Sequence, residues 1–196
     1  MTDRHLRVVV CAAGPAGDVD RLIKVAHERS WTVAITATTQ ALDFLDVPAL
    51  ERLTGFEVRT SYVASDRHQR EIPVVDALIV APATFNTVNK LALGIADTYA
   101  LSSVAEVIGR GVPTVVVPFV NAALASRAPF RRSVEMLRME GVRVVLGPED
   151  DWQPHPTGAG AGQRDRFPWE YALQVADTMT RGAAAARRRI TCEGQA

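Results

Sequence analysis

Residues 6–12, LRVVVCA, form an almost wholly apolar run, which is typical of a strand buried on both faces of a sheet. Four more short runs of this character follow along the chain, at Thr32–Ile35 (TVAI), Ala77–Ala81 (ALIVA), Thr114–Val117 (TVVV) and Arg143–Leu146 (RVVL). Segments with the helical spacing of apolar residues separate them. Strands that alternate with helices form parallel sheets covered on both faces. The sequence therefore predicts a single-domain α/β fold with a three-layer, doubly wound, Rossmann-like parallel sheet.

The composition excludes several classes of protein. The chain has 196 residues, of which 47% are hydrophobic, and 22 Lys and Arg balance 22 Asp and Glu. Zero net charge without a basic block argues against nucleic-acid binding, because phosphates require a concentrated positive field. No apolar run reaches the length of a membrane span. Cys11 and Cys192 form no CxxC motif, so neither a disulfide framework nor a metal site is expected. We expect a cytoplasmic protein that does not bind membranes.

Residues 1–181 are expected to form the one domain. Within it, residues 147–166 (GPEDDWQPHPTGAGAGQRDR) are rich in Gly, Pro and charge, and loops of this length are usually lids or disordered. Residues 61–73 are expected to be a polar loop. A last amphipathic helix opens at Phe167, and residues 182–196 are expected to be a disordered tail.

Four of the predicted strands end in small or hydroxylated residues. These strand ends are Gly14-Pro15-Ala16, Thr36-Ala37-Thr38, Pro82–Thr87 and Pro118–Asn121. In an open α/β sheet, ligands bind beyond the carboxyl ends of the strands. Small residues let the backbone approach a planar or phosphorylated ligand, and a helix N-terminus favours an anion. We therefore expect one ligand site at this edge of the sheet.

Each of these loops also has an ordinary structural interpretation. The turn at residues 14–17 is not a GxGxxG motif and is compatible with a plain strand–helix connection. Thr38 is compatible with a cap on the next helix, and Asn86 or Thr87 with the N-cap of the helix that carries Lys90. Capping and ligand binding use the same helix terminus, so the sequence leaves both interpretations open.

Residues 82–97, PATFNTVNKLALGIAD, resemble the Pro-Ala-Ser-Ala-Asn-Thr…Lys…Gly-Ile-Ala-Asp signature of the homo-oligomeric flavin-containing cysteine decarboxylases. That family includes phosphopantothenoylcysteine decarboxylase and the lantibiotic decarboxylases. Other motifs of the family are matched in order over residues 6–147: its Gly-Ser-Val loop at 14–16, its Thr-x-Ser loop at 36–38, and its Pro-x-Met-Asn-x-x-Met-Trp motif at 118–125. The resemblance implies a flavoprotein domain that binds FMN.

Carried over position by position, the resemblance also implies site residues. FMN is expected to contact Gly14, Pro15, Ala16, Thr36, Thr38, Thr84, Phe85, Asn86, Thr87 and Phe119. The expected catalytic residues are His68, which stands at the spacing of the family's active-site histidine, and Asn121, which matches the asparagine that holds the substrate carboxylate. His68 lies in a polar stretch, so an ordinary surface histidine remains the alternative.

The implied chemistry is the oxidative decarboxylation of a thiol-bearing carboxylate, either at a peptide C-terminus or in a related small molecule. Flavin takes a hydride from the thiol-bearing carbon, and the resulting thioaldehyde accepts the electrons released when CO2 leaves. A histidine is suited to moving the thiol proton. Members of the family assemble as trimers or dodecamers, so a homo-oligomer is expected.

The chain departs from the family at the substrate motif. Val120, Leu124 and Ala125 stand where the family has Met, Met and Trp, so the bulky residues that close over the substrate are missing. Two alternatives follow: an oligomeric FMN-binding protein that regulates partners without turnover, or a flavin-dependent enzyme of other specificity. Flavin prenyl transfer is disfavoured because the loops carry no basic cluster for a prenyl phosphate.

Overall fold

The structure is a computed structural model that describes residues 4–62 and 74–193, with side chains described up to residue 185. The strands are β1 (Arg4–Val10), β2 (Trp31–Ala37), β3 (Ala77–Ala83), β4 (Thr114–Pro118) and β5 (Arg143–Val144). The α-helices are α1 (Asp20–Glu28), α2 (Val47–Thr54), α3 (Phe85–Ala92), α4 (Tyr99–Gly109), α5 (Ala122–Ala125), α6 (Ala128–Met139), α7 (Gly160–Arg164) and α8 (Trp169–Glu193). Among these, no helix is both long enough and apolar enough to span a bilayer.

The strands form one parallel sheet in the order β2-β1-β3-β4-β5. The chain adds β2 on one side of β1 and β3 on the other, so the direction of winding reverses between β1 and β3. Ligands of doubly wound sheets bind at this kind of reversal. The predicted fold class is confirmed.

The core has two layers, one on each face of the sheet. Val8 and its alternate neighbours pack against α1 and α8, where Leu173 is fully buried. Val9 points to the opposite face and packs with α3, α4 and α6, where Leu137 is fully buried. Because both faces of β1 are covered, its apolar residues run continuously, as they do in buried parallel strands.

Strand β3 is longer than predicted. We expected Pro82 to end it after Ala81, but the strand passes through the proline and ends at Ala83. A proline lacks the backbone N–H but keeps its carbonyl, and the carbonyl of Pro82 accepts from the backbone N–H of Cys11 at 3.2 Å. The register of β3 against β4 shifts between Val80 and Ala83, which accommodates the missing donor.

Residues 147–166, for which we expected a lid or a disordered loop, contain two short helices and contact the end of β4. Strand β5 ends at Val144, two residues before its expected end, and the backbone N–H of Leu146 donates to the buried carboxylate of Asp150 at 2.8 Å. Residues 148–150 form a 3-10 helix, and α7 follows at residue 160. The indole of Trp152 is buried and donates to the carbonyl of Pro118 at 2.8 Å. This bond fixes the segment to the end of β4.

Helix α8 also differs from the expectation, because it continues through residues 182–193 where we expected a disordered tail. Alanine and arginine dominate that stretch and are strong helix formers. Earlier in α8, the buried carboxylate of Asp177 accepts from the guanidinium of Arg4 at 2.9 Å and from the indole of Trp31 at 3.0 Å. The helix is thereby joined to the first strands of the sheet.

Candidate functional site

The carboxyl ends of β1, β2, β3 and β4 lie side by side, because these strands are neighbours in a parallel sheet. The loops that follow them carry the residues that the sequence predicted for ligand binding, apart from His68, which lies outside the described residues. The sequence prediction of one common edge is therefore confirmed for the loops, while the role of His68 stays a prediction.

The loop after β1 is a 3-10 helix at Gly14–Asp18. Gly14 is exposed, and a Cβ there would lie 3.3 Å from Cε1 of Phe119. Pro15 and Ala16 are buried beneath it, so the backbone is the part of this loop that a ligand can reach. Asp18, the last residue of this 3-10 helix, pairs with Arg164 at 2.6 and 2.7 Å.

The loop after β2 carries two threonines that are not buried, Thr38 and Thr39. Thr36 is buried, whereas Thr38 is half-buried and donates its backbone N–H to the carbonyl of Val10 at 3.0 Å. A 3-10 helix begins at Thr39, and the side chain of Thr38 makes no capping hydrogen bond to it. The capping interpretation of Thr38 is therefore wrong in the structure. Its hydroxyl is therefore not used by a capping bond.

Thr84, and neither Asn86 nor Thr87, is the N-cap of α3. Its Oγ1 accepts from the backbone N–H of Thr87 at 3.2 Å. The hydroxyl of Thr87 donates to Sγ of Cys11 at 3.3 Å, so Thr84 must supply the hydrogen in the 2.9 Å contact between the two threonine hydroxyls. Asn86 is exposed, and within the described chain its side chain has no hydrogen-bond partner. The first N–H groups of a helix also lack intrahelical partners.

The thiol of Cys11 lies under the start of α3 and is fully buried. Burial raises the pKa of this thiol, and the hydrogen bond from Thr87 offsets part of the rise. Because the charged form is disfavoured, the group stays a neutral thiol at physiological pH. It closes the floor of the site as a packing residue.

Two of the expected site residues are held by packing within the chain. Phe85 stacks on the buried ring of Phe130, with ring centroids 5.6 Å apart. Asn121 is half-buried and caps α5, because its Oδ1 accepts from the backbone N–H of Leu124 at 2.9 Å. The amide nitrogen of Asn121 is not used by this bond. It remains a donor at the end of β4.

The sequence missed one wall of the site, which residues 152–167 build against Phe119. The ring of Phe119 lies 4.9 Å from the imidazole of His155, 6.3 Å from Trp152 and 6.1 Å from Phe167, measured between centroids. His155 is half-buried here. No local pattern signals this position, because the contact depends on where a long segment returns to the sheet.

The donor set fits a flavin mononucleotide. A planar ring system needs a thin backbone wall, which Gly14 provides opposite Phe119. A phosphate needs hydroxyl and N–H donors, which the hydroxyl of Thr38 and the first backbone N–H groups of α3 provide. The described residues contain no group of three or more His, Cys, Asp or Glu side chains that could hold a metal ion.

The chain is similar in sequence to two curated proteins over short stretches. An uncharacterised protein of Methanocaldococcus jannaschii is 39% identical over 90 residues, which are 38% of this chain and 48% of that protein. A dihydromethanopterin reductase (acceptor) of Methanosarcina mazei is 43% identical over 56 residues, which are 28% of this chain and 23% of that protein. The chain thus spans less than half the length of these relatives.

The fold is shared with several solved structures. The FMN-dependent cysteine decarboxylase TvaF from thioviridamide biosynthesis superposes with a TM-score of 0.66 at 22% identity, over 90% of this chain and 99% of that one. The cypemycin decarboxylase CypD gives a TM-score of 0.66 at 21% identity, over 91% and 94%. A dodecameric FMN-dependent decarboxylase from Escherichia coli gives 0.58 at 18% identity, over 72% and 78%.

The family assignment rests on a longer match than these. The sequence model of the Flavoprotein family matches residues 1–163, which include all four site loops. This match and the structural neighbours confirm the resemblance that the motifs indicated. The chain belongs to the Flavoprotein family.

Proposed function

We propose that the protein binds FMN at the carboxyl edge of the sheet and uses it to decarboxylate a thiol-bearing carboxylate oxidatively. The observation that carries the proposal is the convergence of four loops at the reversal between β1 and β3. Gly14, Thr84, Phe119 and Asn121 stand on three of these loops. Membership in the Flavoprotein family supports a flavin, and the decarboxylase neighbours support FMN as the form.

The expected FMN contacts fall into two groups, one at the ring system and one at the ribityl chain and phosphate. The backbone of Gly14, Pro15 and Ala16 and the ring of Phe119 would border the flavin ring system. Thr36, Thr38, Thr84, Phe85, Asn86 and Thr87 line the edge where the ribityl chain and phosphate would lie. Hydroxyls and N–H groups would hold the phosphate without a cation from these loops, because the helix dipole of α3 favours negative charge at its start.

Bound FMN would supply a two-electron oxidant. The amide nitrogen of Asn121 would hold the substrate carboxylate, and His68 is the residue we assign to accept the thiol proton. Loss of the hydride and proton leaves a thioaldehyde, whose C=S group takes the electron pair of the breaking C–C bond. CO2 and an enethiolate are the products.

A second candidate is hydride transfer to or from a different substrate. Val120, Leu124 and Ala125 leave out the bulky side chains that would close over a cysteinyl substrate. The sequence relative in Methanosarcina mazei is named a reductase. In this candidate the same edge holds FMN, and the reaction is a reduction without loss of carbon. A binding-only, regulatory protein is the third outcome.

The experiment begins with the absorbance spectrum of the purified protein and mass spectrometry of the cofactor released from it. FMN with CO2 release from a peptide that ends in cysteine supports the decarboxylase. Bound FMN that NAD(P)H or another donor reduces, without CO2 release, supports the reductase. Bound FMN without either reaction supports the regulatory protein, and a colourless protein that FMN does not stabilise contradicts all three.

Asn121→Asp tests the assigned residue cleanly. An aspartate keeps the oxygen that caps α5, but it replaces the amide donor with a charge that repels a carboxylate. We expect this variant to fold and to bind FMN normally, and to lose CO2 release by ~100-fold or more. Asn121→Ser is the control for the cap alone, because its hydroxyl also accepts from a backbone N–H. Unchanged CO2 release in Asn121→Asp would remove the assigned role.

We also propose that the protein is a homo-oligomer. Leu93, Ile95, Met136 and Met139 are exposed apolar residues after α3 and on α6, which pack together. The dodecameric E. coli decarboxylase shares the fold. Light scattering tests the proposal, with a mass of three or more chains expected, and the mass of a single 21.2 kDa chain would contradict it.

A further inference from the structure

His155 lies where two distant parts of the chain meet. Its backbone pairs in parallel with Asn121. The N–H of His155 donates to the carbonyl of Val120 at 3.2 Å, and its carbonyl accepts from the N–H of Ala122 at 2.8 Å. These two bonds extend the end of β4 by one bridge. They hold the backbone of Asn121, the residue we assign to the substrate carboxylate.

The imidazole of His155 is held from three sides. One face packs on Phe119 at 4.9 Å between centroids, and Nδ1 lies 2.9 Å from the carbonyl of Pro156. When Nδ1 carries the proton and donates there, Nε2 is left as the unprotonated nitrogen. On the side of α7, a Cβ on Gly160 would lie 3.2 Å from Cε1 of the imidazole. The absence of a side chain at Gly160 leaves room for the ring.

Helix α7 is itself tied to the loop after β1. The guanidinium of Arg164 donates to both carboxylate oxygens of Asp18, at 2.6 and 2.7 Å. Asp18 ends the 3-10 helix that begins at Gly14, the residue opposite Phe119. A closed circuit of contacts therefore runs from the loop after β1 through α7 and His155 to the loop after β4.

We propose that His155 is a positioning residue of the flavin site. Its ring fixes the ring of Phe119 against the loop after β1, and its backbone fixes Asn121. It supplies the bulk that the chain lacks at Val120, Leu124 and Ala125. The inference rests on the proposed binding of FMN at this edge. Residues 152–164, in which the sequence predicted no site residue, would then support the side of the site that binds substrate.

His155→Ala and His155→Phe test the proposal in the full chain. The dissociation constant of FMN is measured by quenching of flavin fluorescence, and the geometry of bound FMN by its visible circular dichroism. Loss of the ring that contacts Phe119 should raise the dissociation constant of His155→Ala by about fivefold and change the dichroism. Phenylalanine keeps a ring against Phe119, so His155→Phe should lie within about twofold of the wild type.

Gly160→Ala approaches the same ring without touching the histidine. Its methyl group would press on the imidazole, whereas the methyl group of Gly162→Ala, on the same helix, would meet nothing within 4 Å. We expect Gly160→Ala to reproduce the dichroism change of His155→Ala and Gly162→Ala to match the wild type. The melting temperature without FMN is recorded for every variant.

Three outcomes separate the proposals. If the wild type binds FMN and His155→Ala binds it equally well with an unchanged dichroism spectrum, His155 does not position the site. The same conclusion follows if His155→Ala lowers only the melting temperature, because the role is then purely structural. If the wild type itself does not bind FMN, the proposed function falls and this inference falls with it.

Discussion

Gly14 and Phe119 lie opposite each other across the site edge, so close that a Cβ on the glycine would lie only 3.3 Å from Cε1 of the ring. The glycine follows β1 and the phenylalanine follows β4, and β3 lies between these two strands in the sheet. The backbone of one loop therefore faces the aromatic side chain of the other. A flat ligand at this edge has to share the space with both.

Gly14→Ala should weaken FMN binding. The new methyl group lies closer to the ring than ordinary van der Waals contact, so Phe119 must turn away from its present position. We expect the dissociation constant of FMN to rise by roughly three- to tenfold, equivalent to about 1 kcal/mol. Gly109→Ala at the end of α4 is the matched control, because a Cβ there meets nothing within 4 Å. Equal FMN affinity in both variants would contradict the assignment of this loop.

Asp18→Asn should weaken FMN binding and make stability less dependent on acid pH. The hydrogen bonds and charge of Arg164 lower the pKa of the Asp18 carboxyl below its usual value. A lowered folded-state pKa stabilises the protein above the unfolded pKa of ~3.9, and this contribution disappears as the pH falls through the folded value. Wild type and variant should thus differ in melting temperature at pH 7 and converge below about pH 4.

Asp20→Asn is the control for that variant. Asp20 pairs with Lys24 one helical turn away, at 2.7 Å on the exposed side of α1, so its ion partner lies on its own helix. We expect its FMN affinity to match the wild type, since exposed pairs within one helix contribute little. A loss of FMN affinity in Asp20→Asn equal to that of Asp18→Asn would show a general charge effect instead of a specific tie to α7.

Cys11 should be unreactive in the folded protein. The thiol is fully buried and its pKa is raised, and the thiolate is the reactive form. In a Cys192→Ser background, a thiol-specific chromogenic disulfide at pH 8 should label Cys11 only as fast as the protein unfolds. Full labelling is expected within seconds in guanidinium chloride. Rapid labelling of the native protein would mean that the floor of the site is open.

Phe130→Ala should destabilise the protein strongly. The ring is 1% exposed and carries the stacked ring of Phe85 at 5.6 Å. Removing a buried aromatic ring costs about 3–5 kcal/mol in unfolding free energy. Glu135→Ala, at an exposed position on the same helix, should change it by less than about 0.5 kcal/mol. Urea unfolding followed by circular dichroism measures both values.

The sequence predicts the sheet and its functional edge because both depend on local signals. Strands buried on both faces need continuous apolar runs, and the runs at β1 and β3 stand out for that reason. The polar residues that follow each strand then mark the carboxyl edge. The loop positions of Gly14, Thr84 and Asn121 were available without any tertiary information.

The finer details depend on competition between nearby residues. Three polar side chains, Thr84, Asn86 and Thr87, compete for the cap of α3, and the outcome depends on β3 continuing through Pro82. The pairing of His155 with Asn121 joins residues far apart in sequence. The spacing of apolar residues predicts helices and strands but not such a pairing. Tertiary packing decides where the segment that carries His155 meets the sheet.

The hydrogen bonds of Asp177 show that the folded unit extends beyond the residues that the family model matches. The family match ends at residue 163, and α8 begins after it. The carboxylate of Asp177 in α8 accepts hydrogen bonds from the guanidinium of Arg4 and the indole of Trp31. A protein truncated at residue 163 would leave these two donors without their acceptor. It would also expose the face of the sheet that Leu173 covers. Engineering of this flavoprotein, such as fusion or truncation, therefore has to retain the last helix as an integral part of the folding unit.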